Sequence, residues 1–253
     1  MKLTGMILGA VLAAAGPPAS DLPAAQAPAT AAARSPRYQA AYALAQQLRT
    51  EQSVLQETGR LFEKSSLDQL AANPEIGALE KAHPGIWRHV TAAARPELER
   101  QVVAGLPLLW ASLATIYAEE LTDAEIEQAR VFYTSPAGQR LRAALIRNYD
   151  VGKELAPLVK DENAKTSAGD IRNALAGAIP ETMAAMSAED RAALLAFSQT
   201  PAFAKIERIG PRVLEASAAW GNREDPAGQQ RINAVMEKAA TEFLAAEGKR
   251  GRR

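Results

Sequence analysis

Apolar residues recur every three or four positions along most of the chain from residue 36 onward, which is the spacing of one face of an α-helix. The pattern begins at Tyr38 and Tyr42, and its widest stripe runs from Leu98 to Tyr117. No stretch alternates apolar and polar residues as a half-buried strand would. The chain is therefore predicted to be all-α, built mostly of antiparallel helices around the helix that carries the wide stripe.

Three prolines interrupt this helical pattern. Pro96 is expected to open the long helix, because a proline at the first helical position loses no hydrogen bond. Pro107 lies inside the stripe and Pro180 lies in a later helix. A proline in a helix interior removes one backbone hydrogen bond, so we expect a kink or a break at each of these two positions.

Two corners between helices share one pattern of capping residues. In the first corner, Leu121 to Arg142, Thr122 and Glu125 fit a capping box, and Ser135-Pro136 supplies an N-cap and a proline at the first helical position. The second corner, Met186 to Glu207, repeats the pattern, with Thr200-Pro201 in the place of Ser135-Pro136. The spacing predicts two related helical units with Ser/Thr-Pro capped corners. The alternative is that two unrelated corners converged on the same capping chemistry.

The N-terminal segment has the character of an export signal. Lys2 precedes a short apolar run ending in small residues, so residues 1–20 are predicted to be a signal peptide. The alternative is an uncleaved anchor, although the run is short for a membrane span. Residues 21–36 are predicted to be a flexible Ala/Pro leader, 37–160 the first helical unit, 161–247 the second, and 248–253 a basic tail.

Composition narrows the possible functions. The formal net charge is zero, which gives no electrostatic support for nucleic-acid binding. The chain has no cysteine, so disulfides and thiol nucleophiles are excluded. No segment after the signal is expected to be long and apolar enough to cross a membrane. The mature protein is therefore expected to be soluble and exported, in the periplasm.

Few residues suggest catalysis. His83 and His89 are not at a metal-ligand spacing, so we predict no metal site and no cofactor. Glu119 and Glu120 belong to an acidic cluster that could serve a hydrolase, but we favour capping and surface roles for the cluster. No catalytic residue is predicted. The tryptophans could line a ligand pocket, but we favour core packing; these are Trp87, Trp110 and Trp220.

The first corner resembles the core pattern of an exported bacterial family catalogued as domain of unknown function 2059. The resemblance is closest over residues 116–141 and extends over about 94–157. The matching residues are Tyr117, Leu121, Thr122, Glu125, Phe132, Tyr133, Ser135, Pro136, Gly138 and Leu141. The second corner departs from the pattern at Ser198 and Phe203. The resemblance implies an all-helical secreted protein and implies no activity.

These observations favour a non-catalytic envelope protein that binds a protein partner or a hydrophobic small molecule in a groove between the units. One alternative is a hydrolase that uses acidic residues near Glu119 and Glu120. Another is a chaperone-like protein with an exposed apolar surface.

Overall fold

A computed structural model describes residues 35–60, 62, 74–150 and 165–250 of the chain. The predicted signal peptide and almost all of the predicted leader lie outside these residues, as does the predicted boundary between the two units at 160/161. Within the described residues the regular structure is entirely helical, which confirms the all-α prediction. The helices are α1 Pro36–Leu48, α2 Glu51–Arg60, α3 Pro74–Ala82, α4 Ile86–Glu120, α5 Asp123–Thr134, α6 Pro136–Asn148, α7 Ala168–Ala185, α8 Ala188–Ser198, α9 Pro201–Gly221 and α10 Pro226–Arg250.

Helix α4 is the centre of the fold, as the wide apolar stripe predicts. Helices α1, α9 and α10 pack along it. Helix α10 runs antiparallel to α4. His89, near the start of α4, lies beside Phe243 near the end of α10, and Gln101 further along α4 donates to Asp225 just before α10 begins. Trp220 on α9 likewise donates to the carbonyl of Gly105 on α4. The neighbours of α4 are therefore antiparallel to it.

The long helix differs from its sequence prediction in its length. It begins at Ile86, well before Pro96, and continues through both Pro96 and Pro107. Pro180 similarly lies inside the unbroken α7. Pro96 therefore does not open the helix, and of the kink or break expected at Pro107 and Pro180 the break does not occur. In α4, apolar contacts with the surrounding helices keep the chain helical despite the backbone hydrogen bonds that the prolines remove.

By length and composition alone, α4 could span a membrane, with 35 residues and a stretch of mean hydropathy 1.5. The prediction that no segment after the signal peptide is long and apolar enough to cross a membrane is therefore wrong. In this structure one side of α4 lies in the core, with Leu106, Leu109 and Leu113 at 1% exposure or less. A buried core helix satisfies the same criterion as a membrane helix.

Two ends of the helical pattern also differ from expectation. The apolar pattern after Pro136 predicts a helix that reaches about Leu158, whereas α6 ends at Asn148. Helix α10 continues to Arg250, so the predicted basic tail begins inside a helix. Between α3 and α4, His83-Pro84-Gly85 ends one helix as predicted, and Gly85 supplies the left-handed conformation with φ of 89° that precedes α4.

Candidate functional site

The first corner has the capping geometry that its sequence predicts. The Thr122 hydroxyl accepts from the Glu125 backbone N–H at 3.3 Å, and Glu125 Oε2 accepts from the Thr122 N–H at 2.7 Å. At the start of α6, the Ser135 hydroxyl accepts from the Gly138 N–H at 3.1 Å and donates to the carbonyl of Phe132 at 2.6 Å. Pro136 is the first residue of α6. The corner thus satisfies the backbone groups that helix ends leave free.

Gly138 is required by the closeness of the two helices at this corner. A Cβ atom at position 138 would lie 2.1 Å from the carbonyl oxygen of Phe132. That oxygen belongs to the backbone and cannot swing away as the end of a side chain could. Position 138 of this chain therefore needs glycine for steric reasons.

The other motif residues are packing residues. Tyr117, Leu121 and Phe132 are 3%, 2% and 7% exposed, and Tyr133 and Leu141 are partly buried against the same core. Burial raises the pKa of the Tyr117 and Tyr133 hydroxyls, so both remain protonated at neutral pH. Most of the motif residues therefore serve to pack or cap the helices at this corner.

The second corner reproduces three of these four hydrogen bonds at equivalent positions; the bond from the N-cap N–H to the carboxylate is found in the first corner. Equivalent positions are those separated along the chain by the same interval as Ser135 and Thr200. The Thr200 hydroxyl accepts from the Phe203 N–H at 3.3 Å and donates to the carbonyl of Phe197 at 2.7 Å. Ser187 caps α8 by accepting from the Asp190 N–H at 3.0 Å. One local difference is that α8 ends at Ser198, which leaves two residues between the helices in place of one.

Each corner holds an acidic residue that binds a cation of the other corner. Lys205 Nζ donates to Glu125 Oε2 at 2.7 Å, and Arg140 Nε donates to Asp190 Oδ2 at 3.0 Å. These ion pairs correspond, because Asp190 is equivalent to Glu125 and Lys205 is equivalent to Arg140. The cations, helped by the N-cap hydrogen bonds, hold the pKa of both carboxyls below the ordinary range. Helix α5 is thereby tied to α9, and α8 to α6.

A stacked pair of phenylalanines lies where the two corners meet. The rings of Phe132 and Phe197 are nearly parallel, with centroids 4.2 Å apart and an angle of 6° between their planes. Tyr133 and Phe203 pack edge-on to Phe197. Phe132 and Phe197 are themselves equivalent residues. In a two-fold interface, a residue near the axis contacts its own equivalent, and every other contact occurs twice with the two partners exchanged. The stacked phenylalanines and the two ion pairs follow this pattern.

The acidic residues considered for hydrolysis are held in ion pairs on the α4–α9 surface. Arg212 donates to Glu120 Oε1 at 2.6 Å and to Glu119 Oε2 at 2.8 Å, and Arg208 lies 3.3 Å from Glu120 Oε2. Glu125 is engaged by Lys205, as described above. Among the described carboxyls with a shifted pKa the shift is downward, opposite to what a general acid needs.

The histidines and tryptophans contribute to helix packing. His83 Nδ1 lies 2.6 Å from Glu247 Oε2, and the His89 ring packs against Phe243 of α10.

The tryptophans pack between helices. The indole N–H of Trp110 donates to the carbonyl of Arg49 just after the end of α1, and the indole N–H of Trp220 donates to the carbonyl of Gly105 on α4. Trp87 is buried in a second apolar cluster between α3, α4 and α10. In the part of the chain that the structure describes, no cluster of three or more potential metal ligands occurs.

An open cavity of about 960 Å³ lies between α2, α4 and α6. Its wall combines apolar side chains with guanidinium groups, including Leu55, Phe62, Ile146, Arg60, Arg95 and Arg147. Arg60 donates to the carbonyl of Tyr149 at the end of α6, and Arg95 pairs with Glu99. The cavity is not the expected groove between the units, and no tryptophan lines it among the described residues.

The second half of the chain carries apolar side chains that no described element covers. Ile179 and Met183 on α7 are 51% and 38% exposed, and Leu195 on α8 is 61% exposed. The sequence pattern places Ile179 in an apolar stripe with Leu175, which predicts burial. The periodicity identifies the stripe correctly, but periodicity gives no information about whether another helix lies against it.

Comparison with known proteins supports the predicted resemblance over one segment. Residues 109–145 match the model of a family described as an uncharacterized protein conserved in bacteria (DUF2059). The match contains the whole first corner and ends before the second corner begins. No curated protein and no solved structure matches the chain. The first corner is therefore similar to part of an uncharacterised bacterial domain.

Proposed function

We propose that this chain is an exported, non-catalytic protein of the bacterial envelope that acts by binding another protein. The export proposal rests on Lys2 and the apolar run that follows it. The family match to residues 109–145 is consistent with a bacterial source. The ion-paired state of Glu119 and Glu120 favours this proposal over the hydrolase alternative, because both carboxylates already have cationic partners.

The same proposal treats the chain as two copies of one helical unit. The reciprocal ion pairs, the stacked Phe132 and Phe197 and the matching capping hydrogen bonds support it, because all three relate equivalent positions of the two corners. Two unrelated corners would share capping bonds for local reasons. They would have no reason to exchange equivalent partners across one contact.

The observation that carries the binding function is the exposure of Ile179, Met183 and Leu195. Large aliphatic side chains left in water on a packed helical protein favour contact with another apolar surface. Two of them lie one turn apart on α7, so they present a single side of that helix. A partner that covers them gains the free energy of removing this area from water.

The test is chemical cross-linking of the whole protein in its own host, followed by native mass spectrometry of the mature protein purified from the periplasm. The proposal predicts a discrete cross-linked protein that is lost in the Ile179→Asp variant. An intact mass that lacks the N-terminal segment is the expected result for export. Cross-links that are unaffected by Ile179→Asp would contradict binding through this surface. Suppression of aggregation of many unrelated unfolded proteins would favour the chaperone-like alternative.

A second candidate function is suggested by the cavity between α2, α4 and α6. Its mixture of apolar side chains and guanidinium groups suits a small amphiphile with an anionic head. Arg147 extends toward this cavity from α6 and forms no hydrogen bond or ion pair with another described residue. A non-covalent mass of a few hundred daltons retained in the same native spectra, and lost in Arg147→Ala, would support this candidate.

A further inference from the structure

The uncovered side of α7 has a covered counterpart elsewhere in the molecule. Leu175, Ile179 and Met183 follow one another at intervals of one helical turn and form the α7 face. The equivalent residues in the first half are Trp110, Ala114 and Ala118 on α4. Ala114 is fully buried, whereas Ile179 is 51% exposed. The two stripes thus occupy equivalent positions but differ in whether a neighbour lies against them.

Helix α1 is the element that covers the stripe on α4. Helix α1 packs on both α4 and α5, and its buried residues belong to the same apolar cluster as Ala114. The Tyr42 ring stands edge-on to Trp110 with centroids 6.2 Å apart, and the Trp110 indole donates to the carbonyl of Arg49 at 2.7 Å. The chain offers no second helix of this kind to α7 within the described residues.

The acidic residues at the starts of α5 and α8 also differ in whether a cation pairs with them. Arg37, in the first turn of α1, donates to Asp123 Oδ1 at 2.7 Å at the start of α5. The position equivalent to Asp123 is Ala188, and the adjacent residue in the first turn of α8 is Glu189. Glu189 forms no hydrogen bond or ion pair with another described residue, although its charge acts on Arg140. An acidic group is therefore available in the first turn of α8, one residue beyond the position equivalent to Asp123.

We propose that the α7 face binds an amphipathic helix of a partner protein, which lies along α7 and the start of α8 as α1 lies along α4 and α5. The proposal rests on the proposed function and specifies its partner. The partner helix has an apolar stripe at i, i+3, i+4 and i+7 and a Lys or Arg in its first turn that pairs with Glu189.

The sequence of α1 itself is the probe for this site. A fluorescently labelled peptide of residues 35–49 is titrated with the full chain, and binding is followed by fluorescence anisotropy. We expect saturable binding in the micromolar to sub-millimolar range, as is usual for a single short helix that must fold on binding. Ile179→Asp and Met183→Asp should each weaken binding at least tenfold. Glu189→Lys should weaken it several-fold, and the effect of this variant should diminish at high salt.

Val131→Asp is the matched control, because Val131 is 60% exposed on α5 and lies outside the α7 face. This variant should bind the peptide as the parent chain does. A peptide of the same composition in scrambled order should not bind. Circular dichroism of each variant establishes that the helical fold is retained.

Three outcomes would overturn the proposal. The first is the absence of saturable binding. The second is binding that Ile179→Asp leaves unchanged, as expected if the peptide only exchanged with α1 on α4. The third is a parent dimer that Ile179→Asp converts to monomer, which would make a second copy of the chain the occupant. Cross-links in the host that still depend on Ile179 would preserve the proposed function in the first two cases.

Discussion

At the scale of single residues, the Ser135 and Thr200 hydroxyls perform the same two tasks. Each accepts a backbone N–H from the first turn of the following helix and donates to a carbonyl near the end of the preceding helix. Replacing either with alanine removes both bonds, and an N-cap is typically worth about 1 kcal/mol. We predict that Ser135→Ala and Thr200→Ala each lower the free energy of unfolding by roughly 1 kcal/mol, measured by urea denaturation. Variants with the midpoint of the parent chain would contradict the hydrogen-bonding geometry at the corners.

Gly138 provides a sharper test of the first corner. An added methyl group would meet the Phe132 carbonyl oxygen at 2.1 Å, so the helices must separate to accept it. We predict that Gly138→Ala lowers the free energy of unfolding by about 1–3 kcal/mol, the usual cost of over-packing. Gly221→Ala is the control, because no atom lies within 4 Å of the Cβ position there. Equal effects of the two substitutions in thermal denaturation would show that crowding at position 138 is not the cause.

At the scale of helices, the contact between the corners depends on the stacked phenylalanine rings. Phe132 is 7% exposed and lies flat against Phe197. Removing a buried ring leaves a cavity as well as losing apolar burial, so Phe132→Ala should cost about 3–5 kcal/mol. Phe132→Leu keeps much of the volume and should cost clearly less. If Phe132→Ala and Phe132→Leu had the same small effect in urea denaturation, the ring would not be part of the core.

The two ion pairs between the corners should contribute in the same way, because they are equivalent. Double-mutant cycles on Arg140 with Asp190, and on Lys205 with Glu125, should both give favourable coupling. The carboxylates are well covered, with 6% and 11% of their side-chain surface exposed. The control cycle is Arg130 with Glu127, an exposed pair on α5 for which about 0.3–0.5 kcal/mol is usual. Coupling no larger than that of the control would mean that these pairs do not hold the corners together.

How much could be predicted from the sequence follows from the range of each interaction. The caps at Thr122 and Ser135 were predictable because a cap involves residues within one helical turn. The capping box at Ser167 and Asp170 carries the same local signal, so it could have been predicted as well. The ion pairs between the corners join residues far apart in the sequence, so only the packed structure reveals them. The continuity of α4 through two prolines likewise depends on the helices around it.

The uncovered stripe on α7 shows that prediction from sequence is limited in the same way for the candidate functional site. The spacing of one helical turn identifies Leu175, Ile179 and Met183 as one apolar side, and burial of that side is the natural expectation. Whether a side is buried depends on a neighbouring element, and helix α1 is available to only one of the two halves. The feature that supports a binding function is therefore a missing neighbour among the described helices, which local sequence patterns do not record.

At the scale of the whole molecule, ionised side chains form ion pairs between helices and cap helix ends. The pKa shifts of these groups determine how the stability of the fold depends on pH. Among the residues that the structure describes, four carboxyls have pKa values below the ordinary range; they are Glu97, Glu125, Asp190 and Asp225. Arg100 is the largest cause at Glu97, Lys205 at Glu125, Arg140 at Asp190 and the Gly228 N–H at Asp225. Each of these residues contributes to a contact between helices or to a helix cap.

A carboxyl with a lower pKa in the folded state stabilises the fold above its unfolded pKa of about 4, and this stabilisation is lost as pH falls through the folded pKa. Burial acts in the opposite direction on Tyr117 and Tyr133, whose raised pKa values stabilise the fold below about pH 10. We therefore predict a Tm that is nearly constant between about pH 5 and 9 and declines beyond both limits. Asp190→Asn should lower the Tm at neutral pH and make the acid decline shallower, because it removes one of the protons taken up on unfolding. A Tm that stays constant down to about pH 3 would show that these carboxylates do not stabilise the fold.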